Sequence, residues 1–410
     1  MIPKLDEYKE RWAIASENTV KPGLKSIQSA LNKVGNPQKQ LQAIHVAGTN
    51  GKGSTIAFME SILREHGHST GVFSSPAIVD VHDQIRLDGV PVSEEELNRS
   101  FSVMKEAGLS GMLTDFELLT AAAFVTFSLR NPDYVLLETG MGGALDSTNV
   151  VTPLVSVITS VALDHTAILG DTIEEIAAQK AGIIKQGIPV VTGPLTEEAM
   201  KVVSNIAQKS ASDLLVCGTD FQIDAGGPTE KFRGTENFGI AGRKMKGPHQ
   251  AINAAIAIQA LLAAGIPLQE GKVSQAVAKA GLANRFEEVA PGVYVDGTHN
   301  PAAAHALTKT IEQEFPGEKV DFIIGMLKGK DIEGTLDALV PVAASFSFLA
   351  FSHPQAESPE RMMDLCDHPN KRVLNDVDGR ILLETEMNRK KIVTGSLYLL
   401  VGIYNQLRGK

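Results

Sequence analysis

The sequence predicts an α/β protein of two domains built on mostly parallel sheets, and three observations predict it. A chain of 410 residues exceeds what one hydrophobic core usually supports. Short apolar runs alternate with helical patterns along nearly all of it. A glycine-rich loop, finally, joins an early β-branched run to a helix. Alternation of this kind places helices on both faces of a parallel sheet.

The elements follow in order. Strands are predicted at 43–47, 70–74, 134–138, 154–160 and 188–192, where β-branched and apolar residues run between turn signals. Helices are predicted at 54–66, 93–107, 116–129 and 172–184, where apolar residues recur at helical spacing. From 219 to 247 the segment TDFQIDAGGPTEKFRGTENFGIAGRKMKG turns glycine-rich and polar, which predicts short antiparallel strands at an edge. Helices return at 249–264 and 270–280. After NRFEEVAPG the alternation starts afresh, with strands at 293–296, 320–325, 345–350 and 391–394 and helices at 301–314, 331–339 and 396–408. The domain boundary is placed near 284, giving domains 1–283 and 284–410. No internal repeat or low-complexity segment is present.

Composition excludes several classes of function. A formal net charge of −10 offers no electrostatic reason to approach nucleic acid or an anionic membrane, so neither is expected as a partner. The start MIPKLDEYKERW carries charges where a secretory signal needs an apolar core, and no apolar run reaches the roughly 18 residues of a membrane span. A cytoplasmic protein is expected, and a monomer. Cys217 and Cys366 lie far apart without CxxC spacing, which suggests neither a disulfide framework nor a cysteine metal site.

The loop in AIHVAGTNGKGSTIAFME, residues 43–60, looks like a phosphate-binding loop with its lysine out of place. In GxxxxGK[ST] the hydroxyl follows the lysine directly, whereas Gly53 here separates Lys52 from Ser54 and Thr55. Gly48, Gly51 and Gly53 let the backbone turn tightly around an anion, and the N-terminus of the following helix points N–H groups at it. Lys52 adds a point charge for the outer phosphates. An isolated GKG is more simply a turn with a solvated lysine; the whole string HVAGTNGKGST in strand–loop–helix context favours phosphate.

Other polar residues stand at strand ends. YVLLETG carries Glu138 at the C-terminal end of an apolar strand, the edge at which open α/β sheets bind ligands. A carboxylate there suits Mg²⁺, which takes oxygen ligands; a pairing with a neighbouring lysine explains it equally well. Asp164-His165 follows the strand in LVSVITSVALDHTAILG and is commonly just a hydrogen-bonded pair. Lys180 sits on the apolar helix DTIEEIAAQKAGIIK, where a lysine either snorkels outward or has a local partner; the sequence leans to snorkelling. VYVDGTHNP puts Asp296, His299 and Asn300 before a helix, and taken alone this reads as Asn-Pro turn chemistry with Asn300 as cap.

Together the motifs are more specific. GNPQKQLQAIHVAGTNGKGST, FSSP, TDFELLTAAAF, LLETGMGGALDSTNV, LDHTAILGDTIEEIAAQKAGIIKQGIPVV, GPHQAINAAIAIQ, NRFE, VDGTHNP, GMLKGKD and VTGSLYL, spread from about 23 to 400, resemble the folylpolyglutamate synthase/dihydrofolate synthase family of the Mur ligase superfamily. TNGKGS is that family's variant of the loop, which accounts for the position of Lys52. The resemblance implies a larger N-terminal P-loop domain, a smaller Rossmann-like C-terminal α/β domain, and ATP bound in a cleft between them. It implies that Thr49, Asn50, Gly51, Lys52, Gly53 and Ser54 cradle phosphates, with Asn253, Arg285 and Asp296 at nucleotide-binding positions and His299 beside them as a further catalytic candidate. Ser75, Glu138 and His165 would ligate two Mg²⁺ ions together with Lys180, which resembles the lysine that members carry as a carbamate. Thr114, Phe116 and Asp146 fall in segments that line the pterin side.

The implied reaction joins L-glutamate to the γ-carboxyl of a folate through an acyl phosphate, with dihydropteroate as a further acceptor. Phosphoryl transfer depends on positioning and charge neutralisation, which suits loop amides, Lys52 and two metals. Ala77, Gln84, Ala144 and Ser26 depart from the family pattern: many members have His at the first position and Arg at the other three. Charge is lost on the acceptor side while the ATP and metal residues stay. Two alternatives are therefore carried, a paralogue that ligates an amino acid to a non-folate carboxylate and a catalytically dead nucleotide-binding protein.

Overall fold

The computed structural model describes residues 2–19, 21–77, 79–224, 229–374 and 389–408. They divide into two compact units, Met1–Arg243 with Ile252–Ala280, and Lys244–Ala251 with Gly281–Lys410.

The first unit is built on eight strands: β1 (Ala43–Ala47), β2 (Thr70–Phe73), β3 (Ile85–Leu87), β4 (Val90–Pro91), β5 (Tyr134–Glu138), β6 (Val155–Ile158), β7 (Val190–Thr192) and β8 (Leu214–Val216). Their order is β4-β3-β2-β5-β1-β6-β7-β8. All neighbours are parallel except β3 and β4, which add antiparallel at one edge. Every residue of β1, β2 and β6 is buried, as strands covered on both faces must be. Helix Asp115–Arg130 is buried along most of its length and packs with Phe73, Phe101 and Val135. Three helix starts carry capping boxes, Ser93 with Glu96, Thr114 with Glu117 and Thr172 with Glu175, each satisfying two orphan N–H groups.

The glycine-rich excursion forms the expected antiparallel sheet, β9 (Gln222–Asp224), β10 (Glu230–Arg233) and β11 (Asn237–Ile240); residues 225–228 lie outside the described ones. Other elements were not read from the sequence: β3, β4, β8 and helices Leu5–Trp12, Lys25–Lys33 and Glu197–Lys209. The strands are two or three residues long and owe their pairing to the sheet beside them, which local periodicity does not report.

The second unit holds β12 (Glu287–Ala290), β13 (Val293–Val295), β14 (Val320–Ile324), β15 (Ala343–Leu349), β16 (Lys371–Leu374) and β17 (Lys391–Thr394) in the order β12-β13-β17-β14-β15-β16. Among the described residues only β12 runs antiparallel to its neighbour. Phe322, Phe346 and Phe348 stack at 5.4 and 6.1 Å in its core. Strands β12 and β16 and helix Pro359–Asp364 were likewise not read from the sequence.

One position in this unit is in local conflict. Asn284 is wholly buried with φ +62°, and among the described residues neither its side-chain O nor its N has a hydrogen-bond partner. A buried unsatisfied amide costs about 1–3 kcal/mol, and glycine adopts that backbone conformation without a Cβ penalty. Asn284→Gly is expected to raise stability by about 1 kcal/mol in urea unfolding, while Asn284→Ala lowers it; a lower midpoint for the glycine variant would refute the accounting.

Candidate functional site

The parallel register brings four strand ends to one edge of the first sheet. Val46 of β1 pairs with Glu138 of β5, Ala47 with Ile158 of β6, and Leu137 of β5 with Phe73 of β2. The loops that follow these strands, 48–51, 74–77, 139–149 and 159–165, therefore start side by side, where open parallel sheets bind ligands.

The phosphate-type loop is held by its neighbours. Asn50 N donates to Ser160 Oγ at 2.9 Å, and Thr159 Oγ1 donates to Asn50 O at 2.7 Å. Thr49 Oγ1 donates to Ala162 O at 3.1 Å. A methyl group at Gly48 would stand 1.9 Å from Thr159 Oγ1, and one at Gly51, where φ is +88°, 2.5 Å from Asn253 Oδ1. Asn253 thus lies against the loop. The helix begins at Lys52 rather than Ser54 and runs to Glu65, so Lys52, Gly53 and Ser54 form its first turn, whose N–H groups have no acceptor within the helix.

Lys52 is not a solvated lysine. Its side chain is 17% exposed, donates to Gly48 O at 3.0 Å and stands 3.9 Å from Glu138 Oε1. Glu138 is itself buried at the end of β5.

Lys180 corrects the snorkelling expectation. The residue is 3% exposed on helix Ile173–Ala181, and the loop after β5 closes over it: Ala144 N donates to Gln179 O at 2.7 Å, and a methyl at Gly143 would stand 2.9 Å from Lys180 O. The cue was present, because the buried positions Ile176, Ala177, Lys180 and Ala181 share one helical face. Burial pushes the Lys180 amine down to about 7, the charge of Lys52 adds to that, and Asp164 and Asp146 oppose it. The charges that act on Lys180 are thus those of Lys52, Asp164 and Asp146. The sequence shows Asp164 only as half of a pair with His165; that its charge acts on Lys180 has no signal in the sequence.

His165 itself is exposed, has φ +52°, and places Nε2 3.9 Å from Asp164 Oδ1. Ser75 is half-buried in the loop after β2, where Ser74 N donates to Gln84 O at 2.9 Å. Among the described residues no group of three or more His, Cys, Asp or Glu side chains is arranged as a metal site.

Of the residues expected to line the pterin side, Thr114 caps helix Asp115–Arg130, its hydroxyl donating to Glu117 at 2.9 Å. Phe116 covers Gly140, whose added methyl would meet the ring at 2.5 Å. Asp146 is buried, and burial raises its carboxyl although Thr148 and backbone N–H groups lower it. It accepts from Met141 N at 2.9 Å and from Thr148 N at 3.0 Å, closing the loop on itself. Two of the departing residues are built into the packing: Gln84 is buried and donates to Ser74 O at 3.3 Å, and the Cβ of Ala144 faces Gly182. Ser26 is exposed.

In the second unit Asp296 is buried and accepts from Phe286 N at 2.9 Å, Thr298 N at 2.9 Å and Thr298 Oγ1 at 2.6 Å. Arg285 Nη1 donates to Asn284 O at 3.2 Å and lies over Gly297, and His299 Nδ1 stands 2.8 Å from Gly297 O. Asn300 caps helix Pro301–Glu314, accepting from Ala303 N at 2.9 Å. Asp296 thus ties strand β13 to the 284–286 turn, which brings Arg285 and His299 to one loop cluster.

The fold and the loop define a class. Residues 46–261 match the Mur ligase middle domain, and residues 284–406 match the C-terminal domain of dihydrofolate synthetase. The chain is 36% identical to a dihydrofolate synthase/folylpolyglutamate synthase of Bacillus subtilis, over 95% of this chain and 96% of that one. It is 33% identical to a folylpolyglutamate synthase of Lacticaseibacillus casei, over 93% and 94%. Among solved structures it is similar to E. coli FolC in complex with DHPP and ADP, with TM-score 0.90, 29% identity and 99% and 98% of the two chains covered. The Yersinia pestis bifunctional enzyme complexed with AMPPNP and Mn ion gives TM-score 0.88 at 28% identity, covering 98% of each. The chain belongs to the dihydrofolate synthase/folylpolyglutamate synthase family.

Proposed function

We propose that this chain is an ATP- and Mg²⁺-dependent ligase that joins L-glutamate to the γ-carboxyl of a folate. The observation that carries the reading is the gathering of Lys52, Glu138 and the buried Lys180 at the loop edge of the first sheet, in a chain of this family. A γ-carboxylate oxygen attacks the γ-phosphorus of ATP and ADP leaves. The glutamate amine then attacks the acyl carbon, phosphate departs with the C–O electron pair, and the amine gives up a proton. Residues Thr49 to Ser54 and Asn253 hold the phosphates; Arg285, Asp296 and His299 are the nucleotide-binding candidates within the second unit.

Metal fits the donor set on one condition. Ser75, Glu138 and His165 offer a hydroxyl, a carboxylate and an imidazole, whereas Lys180 as an ammonium repels a cation. With its amine held at about 7, much of Lys180 is unprotonated near neutrality, the form that adds to CO₂, and the resulting carbamate supplies a carboxylate. Ser75, Glu138, His165 and the Lys180 carbamate would hold Mg²⁺, which would supply charge neutralisation for phosphoryl transfer. The relatives' complexes with ADP and with AMPPNP and Mn ion support nucleotide and divalent-metal use.

The acceptor is tested by incorporating radiolabelled glutamate into tetrahydrofolate, its methylene form and dihydropteroate in parallel. Reduced folates are expected to be elongated and dihydropteroate used poorly, because positive charge is missing at Ser26, Gln84 and Ala144. A preference for dihydropteroate overturns that specificity, and no incorporation into any acceptor overturns the folate reading. Use of dihydropteroate alongside folates is the second reading, supported by the bifunctional name of the Bacillus subtilis relative.

A further inference from the structure

The strand that leads into the phosphate loop holds a histidine that the ligation scheme leaves unused. His45 is fully buried in the middle of β1, paired with Leu137 of β5 and Ser156 of β6. Its Nε2 stands 2.8 Å from Thr148 Oγ1, and that hydroxyl donates to Asp146 Oδ1 at 2.5 Å. A hydroxyl has one proton to give. With Asp146 as the carboxylate acceptor of that proton, Thr148 accepts from His45, which then carries its own proton on Nε2. Nδ1 is buried with no hydrogen-bond partner among the described residues, so the bond at Nε2 is the polar contact the ring makes there. Burial, with the charge of Lys185 adding to it, holds the imidazole neutral by pushing it down to about 3.

What hangs on this bond is the loop between Glu138 and Asn149. Asp146 closes the loop on Met141 and Thr148, and Gly140 lies under Phe116. Thr120 Oγ1 and Ser147 Oγ are 2.7 Å apart, while Asn149 Nδ2 donates to Ala144 O and Gly182 O at 3.0 Å. The loop is thus tied to the Phe116 helix on one side and to the Lys180 helix on the other. His45 supplies a side-chain bond from the strand that ends in the phosphate loop.

We propose that His45 is a positioning residue, whose hydrogen bond to Thr148 sets the 139–149 loop against the phosphate loop and so places the acceptor carboxylate relative to the γ-phosphate. The inference rests on the reading of Phe116 and Asp146 as acceptor-facing. His45→Phe keeps a flat buried ring and removes the donor; His45→Gln puts an amide N–H near the position of Nε2; Thr148→Val removes the hydroxyl with little change of shape. Steady-state glutamate incorporation into tetrahydrofolate, with thermal melts alongside, reads all three and the His45→Phe/Thr148→Val double variant. The acceptor KM is expected to rise about tenfold in His45→Phe and in Thr148→Val while the ATP KM stays within about threefold. The double variant should be no worse than either single one, and His45→Gln should recover most of the loss. Equal shifts in both KM values, additive losses, or a glutamine variant no better than phenylalanine overturn the inference. If His45→Phe does not fold, Thr148→Val and its rescue by Thr148→Ser decide the matter by the same split. Incorporation by the wild type with an unshifted acceptor KM in the variants overturns this inference alone; no incorporation by the wild type overturns the ligase reading and this inference with it.

Discussion

Lys180→Met is expected to lose ligation by at least about a thousandfold, more than about 4 kcal/mol of transition-state stabilisation, and yet to unfold later than the metal-free wild type. A methionine fills the volume without a charge, in a position that is 3% exposed. The pH dependence follows from the depressed amine. Between about 7 and the ordinary 10.5 the unfolded lysine holds a proton that the folded one does not, so stability rises with pH across that window. The penalty is complete below about 7. In CO₂-free buffer the wild type should therefore gain stability from pH 7 to pH 9, by up to about 1.4 kcal/mol per pH unit, and Lys180→Met should lack that gain. Activity reports the carbamate separately: Lys180→Ala, which leaves a space, should regain some turnover with added short-chain carboxylates. Wild-type turnover in Lys180→Met without any added carboxylate would sink the proposed ligand role.

Lys52→Ala should also lose ligation by about a thousandfold or more, with ATP binding weakened and the fold kept. The side chain is 17% exposed and makes its close hydrogen bond to the carbonyl of its own loop at Gly48. Its removal leaves the loop's other bonds, Asn50 with Ser160 and Thr159 with Asn50, in place. A second consequence has a definite sign. Because the charge of Lys52 helps to depress Lys180, the alanine variant should hold Lys180 more protonated, and the Lys180 stability gain should begin at a higher pH and be smaller. Nucleotide titration and thermal melts check the first claim. Undiminished turnover at saturating ATP would remove Lys52 from the phosphate site.

Much of the fold was legible because its signals are local. Strands β1, β2, β5 and β6 are apolar runs bounded by turns, and helices opening at Thr114 and Thr172 announce themselves with Thr-x-x-Glu. The start at Lys52 was misread by two residues because the first helical turn is glycine-containing and looks like loop. Strands as short as Ile85–Leu87 and Val90–Pro91 form because a neighbour already offers unpaired N–H and C=O groups, a condition that periodicity does not record.

The sequence by itself determined the class of architecture, the phosphate-type loop and the set of polar residues at strand ends, since these depend on residues a few positions apart. Only the tertiary structure decided which of them meet. Lys180 turned inward because the Gly143–Ala144 backbone covers its helix, the charge of Asp164 came to act on it, and His45 reached Thr148 across 103 residues of chain. Each of those contacts exists because β1 lies between β5 and β6, and strand adjacency is settled by packing of the whole sheet, with no local pattern to encode it.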